Sequence, residues 1–445
     1  MKLAPNSLTA TEAARKIREG LIGSVDLVKS CLTRIAETEP TLQAWAHLDA
    51  DAALAQAAEC DSRRRGGYAL GPLHGVPVGL KDIIDTRDMP TVRGSPVFSC
   101  RQPEADAALV DRLREAGAVI MGKTVTTEFA FVHAGATRNP HNPAHSPGGS
   151  SSGSAAAVAA FNVPLAIGTQ TNGSVIRPAS FCGTYGFKPT RGTISRRGVL
   201  QTSVSLDQVG CFARSLADVA LLTDAIGSYD PADPASFAHA RPAIAEGASA
   251  EVPVEPNLLW FDMPYHDRLQ TDAAEGLAAI TEMLGGRVQK MTPAPQLSDL
   301  VAVQATIHEY EICQHLGAVF DAHWDMISAS LQPIIRRGRT ISAAQYEDAL
   351  AVKASAEVFF ADLFTEFDAV IAPSAAGEAP LFGPATGDPI FCTVWTLAGL
   401  PAVTLPLLVG ETGLPIGVQV IGARERDDRL LRTANWIEHQ IEAAA

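Results

Sequence analysis

Cysteine is sparse and unpaired in this chain. Seven occur among 445 residues, at Cys31, Cys60, Cys100, Cys182, Cys211, Cys313 and Cys392, with no CxxC spacing. That pattern gives neither a disulfide framework nor a zinc site, and it fits a reducing compartment. Basic charge is short as well. The 35 Lys and Arg stand against 49 Asp and Glu, for a net charge of −14. This argues against direct nucleic-acid binding, because phosphate contacts need clustered cations. No apolar run approaches membrane-spanning length, and the opening MKLAPNSLTATEAARKI has no apolar signal segment. A cytoplasmic protein with no membrane partner is expected. Internal repeats and low-complexity tracts are absent too.

What remains is a globular composition, 47% hydrophobic and 19% charged. Thr9 and Glu12 form a capping-box pattern before the first helix, Ser24 opens a second that runs through Ile35, and residues 49–65 read as a third. This all-helical start is expected to pack outside the fold. LHGVPVGLKD then reads as a strand that carries Lys81 at its end. Residues 105–116 read as a helix and 118–121 as a strand, 163–169 as a strand, and 215–226 as a helix. The Ala/Pro-rich residues 230–256 read as a surface excursion. Strands follow at 258–261 and 287–291, around a helix at 271–284. A helical region covers 297–367 with a break at 333–340, and strands at 369–373, 401–407 and 417–422 precede a closing helix. Alternating strands and helices predict an α/β fold, one large α/β/α sandwich with a mixed central sheet. We expect a single domain over 1–445: a helical region (1–70), a catalytic core (71–230), a variable substrate-side region (231–367) and returning strands with a closing helix (368–445).

Residues 146–178, SPGGSSSGSAAAVAAFNVPLAIGTQTNGSVIRP, are the stretch the chain is organised around. A Gly/Ser run opens it, a composition suited to a backbone that turns tightly and approaches a ligand closely. SAAAVAAF then suits a helix packed tightly against a sheet. After the strand comes a second glycine-bearing turn, Thr171-Asn172-Gly173-Ser174. The bland alternative for each serine loop is a flexible turn, and for Lys81 a surface lysine.

Three pattern matches are discounted. Gly117 to Thr124 has Walker A spacing, but AVIM inside it reads as the strand itself, where a P-loop needs its turn. Gly149-Ser150-Ser151-Ser152-Gly153 fits GxSxG, which requires a later histidine. His239, His266, His308, His315, His323 and His439 follow, none in a compelling loop context. His141 and His145 flank Pro143, which denies them the helical spacing of a metal pair. What remains is Ser, Ser and Lys, since lysine can serve as the base for a serine nucleophile.

These residues resemble the amidase signature family. The resemblance covers nearly the whole chain, through LHGVPVGLKDIIDT, GAVIMGKTVTTEFA, NPHNPAHSPGGSSSGSAAAVAA, GTQTNGSVIRPASFCGTYGFKPT, FDAVIAPS, GLPAVTLPL and GLPIGVQVIGAR. It implies Ser174 as nucleophile, Ser150 as bridging serine in a cis Gly149–Ser150 peptide, and Lys81 as base. Backbone N–H groups of Thr171, Asn172, Gly173 and Ser174 would form an oxyanion hole, and Ser151 and Thr169 would hold Lys81. Lys81 must be neutral to act, and burial would lower its pKa. Asp82 and Asp85 must then point away or be neutralised elsewhere. The chain departs from the family pattern in carrying Gln170 and Asn172 where many members have Asp and Gly. Its arginine also comes one residue late, at Arg177, which reads equally as a clamp for a substrate carboxylate or as a structural ion pair.

The expected function is hydrolysis of a small amide through an acyl-enzyme, extending to carbamates (urethanes), anilides or esters, with no metal and no cofactor. Two alternatives stand beside it: the catalytic A-type subunit of a tRNA-dependent glutamyl/aspartyl amidotransferase, and an inactive binding protein on an amidase scaffold. The expected partner is a small amide or carbamate substrate, with homo-oligomerisation left open.

Overall fold

Among the described residues, eleven strands join in one sheet. In chain order they are β1 (Trp45–Leu48), β2 (Pro77–Lys81), β3 (Val119–Thr124), β4 (Leu165–Gln170), β5 (Tyr185–Lys188), β6 (Gln208–Ala213), β7 (Leu258–Phe261), β8 (Val288–Met291), β9 (Ala369–Pro373), β10 (Ala402–Val409) and β11 (Pro415–Ile421). Their spatial order is β1-β3-β2-β4-β6-β5-β10-β11-β9-β7-β8. Pairing is parallel between β2 and its neighbours β3 and β4, and between β7 and its neighbours β8 and β9. The other pairs are antiparallel, so the sheet is mixed, as expected of this α/β fold. The computed structural model describes residues 4–238, 240–292, 297 and 299–444. His239 lies outside them, as do residues 293–296 and 298 of the expected variable region.

Successive side chains on a strand face opposite sides, and the core follows that rule. On β4, Leu165 and Ile167 join one apolar cluster while Ala166 joins another; on β9, Ala369 and Ile371 part from Val370 and Ala372 in the same way. Both faces are therefore covered. The helices are α1 (Ala10–Arg18), α2 (Ser24–Leu42), α3 (Ala50–Arg65), α4 (Ala108–Glu115), α5 (Ser152–Ala159), α6 (Ile176–Cys182), α7 (Leu216–Ile226), α8 (Ile244–Ser249), α9 (Thr271–Met283), α10 (Leu300–Ala322), α11 (Gln332–Gly338), α12 (Ala343–Leu363), α13 (Ile390–Leu397) and α14 (Asp427–Ala444). Residues of α4, α7, α8, α9 and α14 build the core on one face. Those of α1, α2, α3 and α5, and of α12 and α13, build two cores on the other. Among the described residues no helix is long and apolar enough to cross a membrane.

The N-terminal region differs from the expectation in one respect. Thr9 and Glu12 do form the capping box, but the start is not all helical, because Trp45–Leu48 is a strand antiparallel to β3. Four residues with a polar histidine among them are too few for alternation to stand out. Further elements, among them β6, α6, α8 and α13, were not expected. IFCTVWTL is rich in β-branched and aromatic residues yet forms α13, since it is buried on every side and packing overrides propensity. The α-helical region breaks twice, at 323–331 and at 339–342 on either side of α11, and the break expected at 333–340 overlaps only the second. Pro333 sits in the first turn of α11, where its missing N–H is no loss. The stretch 230–256 is also more firmly held than a surface excursion. Asp230 accepts from Ser195 Oγ at 2.7 Å, Asp233 forms a buried pair with Arg196 at 2.6 Å, and Ile244 and Ala248 of α8 are buried.

Candidate active site

Parallel pairing sets Leu80 beside Ile167, which brings the C-terminal ends of β2 and β4 together. Lys81 is the last residue of β2 and is fully buried. Its Nζ lies 2.7 Å from Ser150 Oγ and 2.8 Å from Thr169 Oγ1. Burial draws its pKa from 10.5 down to about 7, with Asp207 pulling the other way. The two neighbouring carboxylates are engaged elsewhere. Asp85 makes a two-pronged pair with Arg101, both contacts at 2.6 Å. Asp82 accepts from the Val92 N–H at 3.1 Å, and its charge acts on Lys123.

The Gly149–Ser150 peptide is cis. Ser151 was expected to hold Lys81 and does not. Its Oγ accepts from the Thr169 N–H and donates to the Thr169 carbonyl, each at 3.2 Å, bracing the strand that presents Thr169. The reason is space: a Cβ on Gly168 would stand 2.5 Å from Ser151 Oγ, so the serine lies flat against β4.

Ser174 follows β4 in the second turn and lines a cavity of about 260 Å³. Among the described residues no hydrogen bond joins it to Ser150, and its side chain meets the cavity. The backbone N–H groups of Thr171, Asn172, Gly173 and Ser174 donate to nothing among the described residues, while the next two are taken. Gln170 Oε1 accepts from Val175 at 2.7 Å and from Ile176 at 3.0 Å. The turn is held from outside by side chains. Gln304 of α10 donates to the Thr171 carbonyl at 3.1 Å, Thr393 of α13 donates to Asn172 Oδ1 at 2.7 Å, and Thr396 donates to the Asn172 carbonyl at 2.5 Å. Asn172, where the family pattern often has Gly, thus ties the turn to two helices.

Arg177 takes part in no ion pair among the described residues. Buried beside the cavity, it donates to the carbonyls of Gly149 and Gly387 and to Thr386 Oγ1, which joins the first serine loop to residues 386–387. Its Nε is buried without a partner among the described residues. His141 and His145 each bond a backbone carbonyl, of Cys182 and Ala379 respectively.

Sequence reasoning missed several residues here. Asp207 is buried and accepts from Thr171 Oγ1 at 2.5 Å, from the N–H groups of Thr202 and Ser203 at 2.7 and 2.9 Å, and from Thr202 Oγ1 at 3.1 Å. Burial pushes its pKa up, and those donors and Arg196 pull it back. His308, set aside for want of a loop context, lies on α10 and lines the cavity. Only their depth in the fold marks Asp207, Gln304 and His308, and local pattern carries no such signal.

The chain matches the Amidase family over residues 26–431. It is 34% identical to the A-type subunit of the glutamyl-tRNA(Gln) amidotransferase of Chloroflexus aurantiacus, across 98% of this chain and 97% of that one. To the subunit of the same name from Synechococcus sp. it is also 34% identical, across 98% and 96%. Among solved structures it is similar to the peptide amidase of Stenotrophomonas maltophilia, with a TM-score of 0.84, 31% identity and coverage of 98% and 97%. It is also similar to a chain of the vestigial protein complex linked to the origins of an s-triazine catabolic enzyme, with a TM-score of 0.91, 29% identity and coverage of 97% and 98%. The names of the curated relatives favour the amidotransferase expectation over that of a stand-alone small-amide hydrolase. Sequence, fold and neighbours agree at the level of the family: this chain belongs to the amidase family and shares its α/β architecture.

Proposed function

We propose that this chain cleaves the C–N bond of a carboxamide by acyl transfer to Ser174, with Ser150 and Lys81 as proton carriers. The observation that carries this reading is the buried Lys81–Ser150 contact at 2.7 Å beside a turn with four backbone N–H groups that are unclaimed among the described residues. A lysine near pKa 7 is neutral in a large fraction of molecules at neutral pH. Once Nζ has lost its proton, the contact reverses and the Ser150 O–H donates to its lone pair. Ser150 then passes its own proton to Lys81 Nζ and takes that of Ser174 as Ser174 Oγ forms its bond to the carbonyl carbon. The carbonyl π electrons move onto oxygen, where the N–H groups of the turn meet the charge; one such donor is worth about 3 kcal/mol of barrier. As the C–N bond breaks, its electron pair stays on nitrogen, which collects a proton through Ser150. Water then repeats the sequence on the acyl-enzyme, releasing the acid and restoring Ser174. Carbamates and anilides need the same protonation and fall within reach of the same groups.

The setting that the relatives support is an A-type subunit that releases ammonia from an amide donor and works with partner proteins. Full-length similarity to proteins of that name is the support. One observation favours a second reading, a stand-alone amidase acting on a small apolar amide. The cavity is walled largely by apolar groups such as Phe131, Val132, Ile334 and Pro389, and its charged side chains are engaged: Arg177 by carbonyls and Glu309 by Arg337. Ammonia release by the purified chain separates the two. Turnover of simple amides without partners at ordinary enzymatic rates selects the stand-alone amidase, and activity on glutamine only with partner proteins present selects the amidotransferase. No turnover of any amide in either setting overturns both.

A further inference from the structure

His308 is only 8% exposed and sits against the ring of Phe131 at 4.3 Å, and what it exposes faces the cavity beside Ser174. Its Nε2 lies 3.1 Å from Thr202 Oγ1. The acceptor strengths around Thr202 point to the ring nitrogen that carries the hydrogen. Asp207 collects two backbone N–H groups and the Thr171 hydroxyl, as an ionised, acceptor-only carboxylate does. The single Thr202 hydroxyl hydrogen has two acceptors at 3.1 Å, Asp207 Oδ1 and His308 Nε2, and we assign it to the carboxylate as the stronger of the two. Thr202 Oγ1 can then offer His308 only a lone pair, so Nε2 is the N–H and Nδ1 is bare. Burial holds the ring pKa down, to about 3, so the imidazole is neutral at working pH. Nδ1 has no partner among the described residues and is not one of the sealed, unpartnered polar atoms of the interior.

A bound carboxamide presents a carbonyl, which wants donors, and N–H groups, which want an acceptor. Left unpaired in an apolar cavity, either costs binding energy. The turn supplies the donors. Three side-chain acceptors of the lining already receive donors: Asn172 Oδ1 from Thr393, Gln304 Oε1 from Asn172, and Glu309 from Arg337. Among the described residues, the bare nitrogen of His308 is a lining side-chain acceptor that receives no donor. We infer that His308 Nδ1 accepts a hydrogen bond from the amide N–H of the substrate, making the site selective for amides that carry an N–H over isosteres that lack one. The inference rests on the amidase reading of Ser174 and adds to it a selectivity residue held in one tautomer by Asp207 through Thr202.

The test compares benzamide with acetophenone, in which a methyl replaces the NH2 at nearly equal size. Binding is measured by calorimetry in the catalytically silent Ser174→Ala background. Benzamide should bind about tenfold more tightly than acetophenone, the order of one buried hydrogen bond. His308→Phe should bring the ratio close to one, and His308→Gln, which keeps an acceptor, should restore part of it. An unchanged ratio in His308→Phe overturns the inference. A second measurement needs no variant: 15N NMR of the parent enzyme should show His308 protonated at Nε2, with the Nδ1 signal moving on addition of benzamide and not of acetophenone. Protonation at Nδ1, or no response to benzamide, also overturns it. Failure of the amidase reading is seen separately, as failure of a serine-directed phosphonate to label Ser174.

Discussion

Gln170 Oε1 accepts the backbone N–H groups of both Val175 and Ile176, at 2.7 and 3.0 Å. Its amide nitrogen meanwhile donates to Thr396 Oγ1 at 2.9 Å. One side chain thus satisfies the start of α6 and leaves the N–H groups of the preceding turn free. Gln170→Met removes the acceptor, and the turn is expected to reorganise to cover the orphaned donors. Turnover should fall about 100-fold, the scale of a lost oxyanion donor, with a much smaller change in KM. Steady-state kinetics check this, and a loss confined to KM counts against it.

Ser174 and Ser151 make opposite predictions for chemical labelling. Ser174 faces the cavity, whereas Ser151 is sealed and bonded to both polar atoms of the Thr169 backbone. A serine-directed phosphonate or sulfonyl fluoride should label Ser174 alone, as read by peptide mass spectrometry. Ser174→Ala should abolish turnover and leave the thermal midpoint nearly unchanged. Label on Ser151 would move the chain to the GxSxG chemistry set aside above.

How much of this was legible in the sequence depends on the range of the interaction. The strand ending in Lys81, the capping box at Thr9 and the two serine turns are written in contiguous residues, and they fall where expected. Asp207, Gln304 and Thr396 reach the turn at residues 171–174 from 33 or more positions away in the chain. Their roles come from tertiary packing, to which a periodicity reading is blind. Arg177 reads from sequence as a substrate clamp or an ion pair, and its partners are carbonyls and a hydroxyl. Backbone acceptors have no signature in sequence, so this outcome had no local sign.

Arg177 yields a prediction of its own. Its fork reaches the Gly149 carbonyl with one nitrogen and the Gly387 carbonyl with the other. Lysine has a single donor centre and cannot bridge both. Arg177→Lys should lower the thermal midpoint by a few degrees, for a loss of about 1–2 kcal/mol, and reduce turnover by loosening the Ser150 loop. A variant with raised KM, intact kcat and an unchanged midpoint would instead support the substrate clamp.

The pair of Tyr185 and Glu438 carries a stability prediction. Tyr185 donates to Glu438 Oε1 at 2.7 Å, and burial, with Glu442 nearby, pushes the Glu438 pKa from 4.5 to about 7. The folded state therefore holds this proton more tightly than the unfolded state. Its contribution is complete below pH 4.5 and is lost as pH rises through 7. Glu438→Gln keeps the acceptor for Tyr185 and removes the ionisation. In urea denaturation the variant should match the parent at about pH 4 and exceed it by roughly 1–2 kcal/mol at about pH 8. Parallel pH profiles for the two proteins would rule out the buried carboxyl as the cause.

Lys81 sets the pH dependence of turnover. Burial lowers its pKa to about 7, and the Asp207 carboxylate opposes that shift. As base it acts without its proton, so kcat/KM for amides should rise with pH along a limb centred near 7, which reports the free enzyme. Asp207→Asn removes the opposing charge and should move the limb to lower pH, whatever it does to the maximum rate. Lys81→Ala should cost more on an amide than on a matched ester. An alkoxide leaves with little protonation, whereas an amine must collect a proton through Ser150. The measurement is a pH–rate profile of parent, Lys81→Ala and Asp207→Asn on a matched amide and ester pair. Equal losses on both substrates in Lys81→Ala, with the alkaline rise intact, would make Lys81 a structural lysine and send the proton by another route.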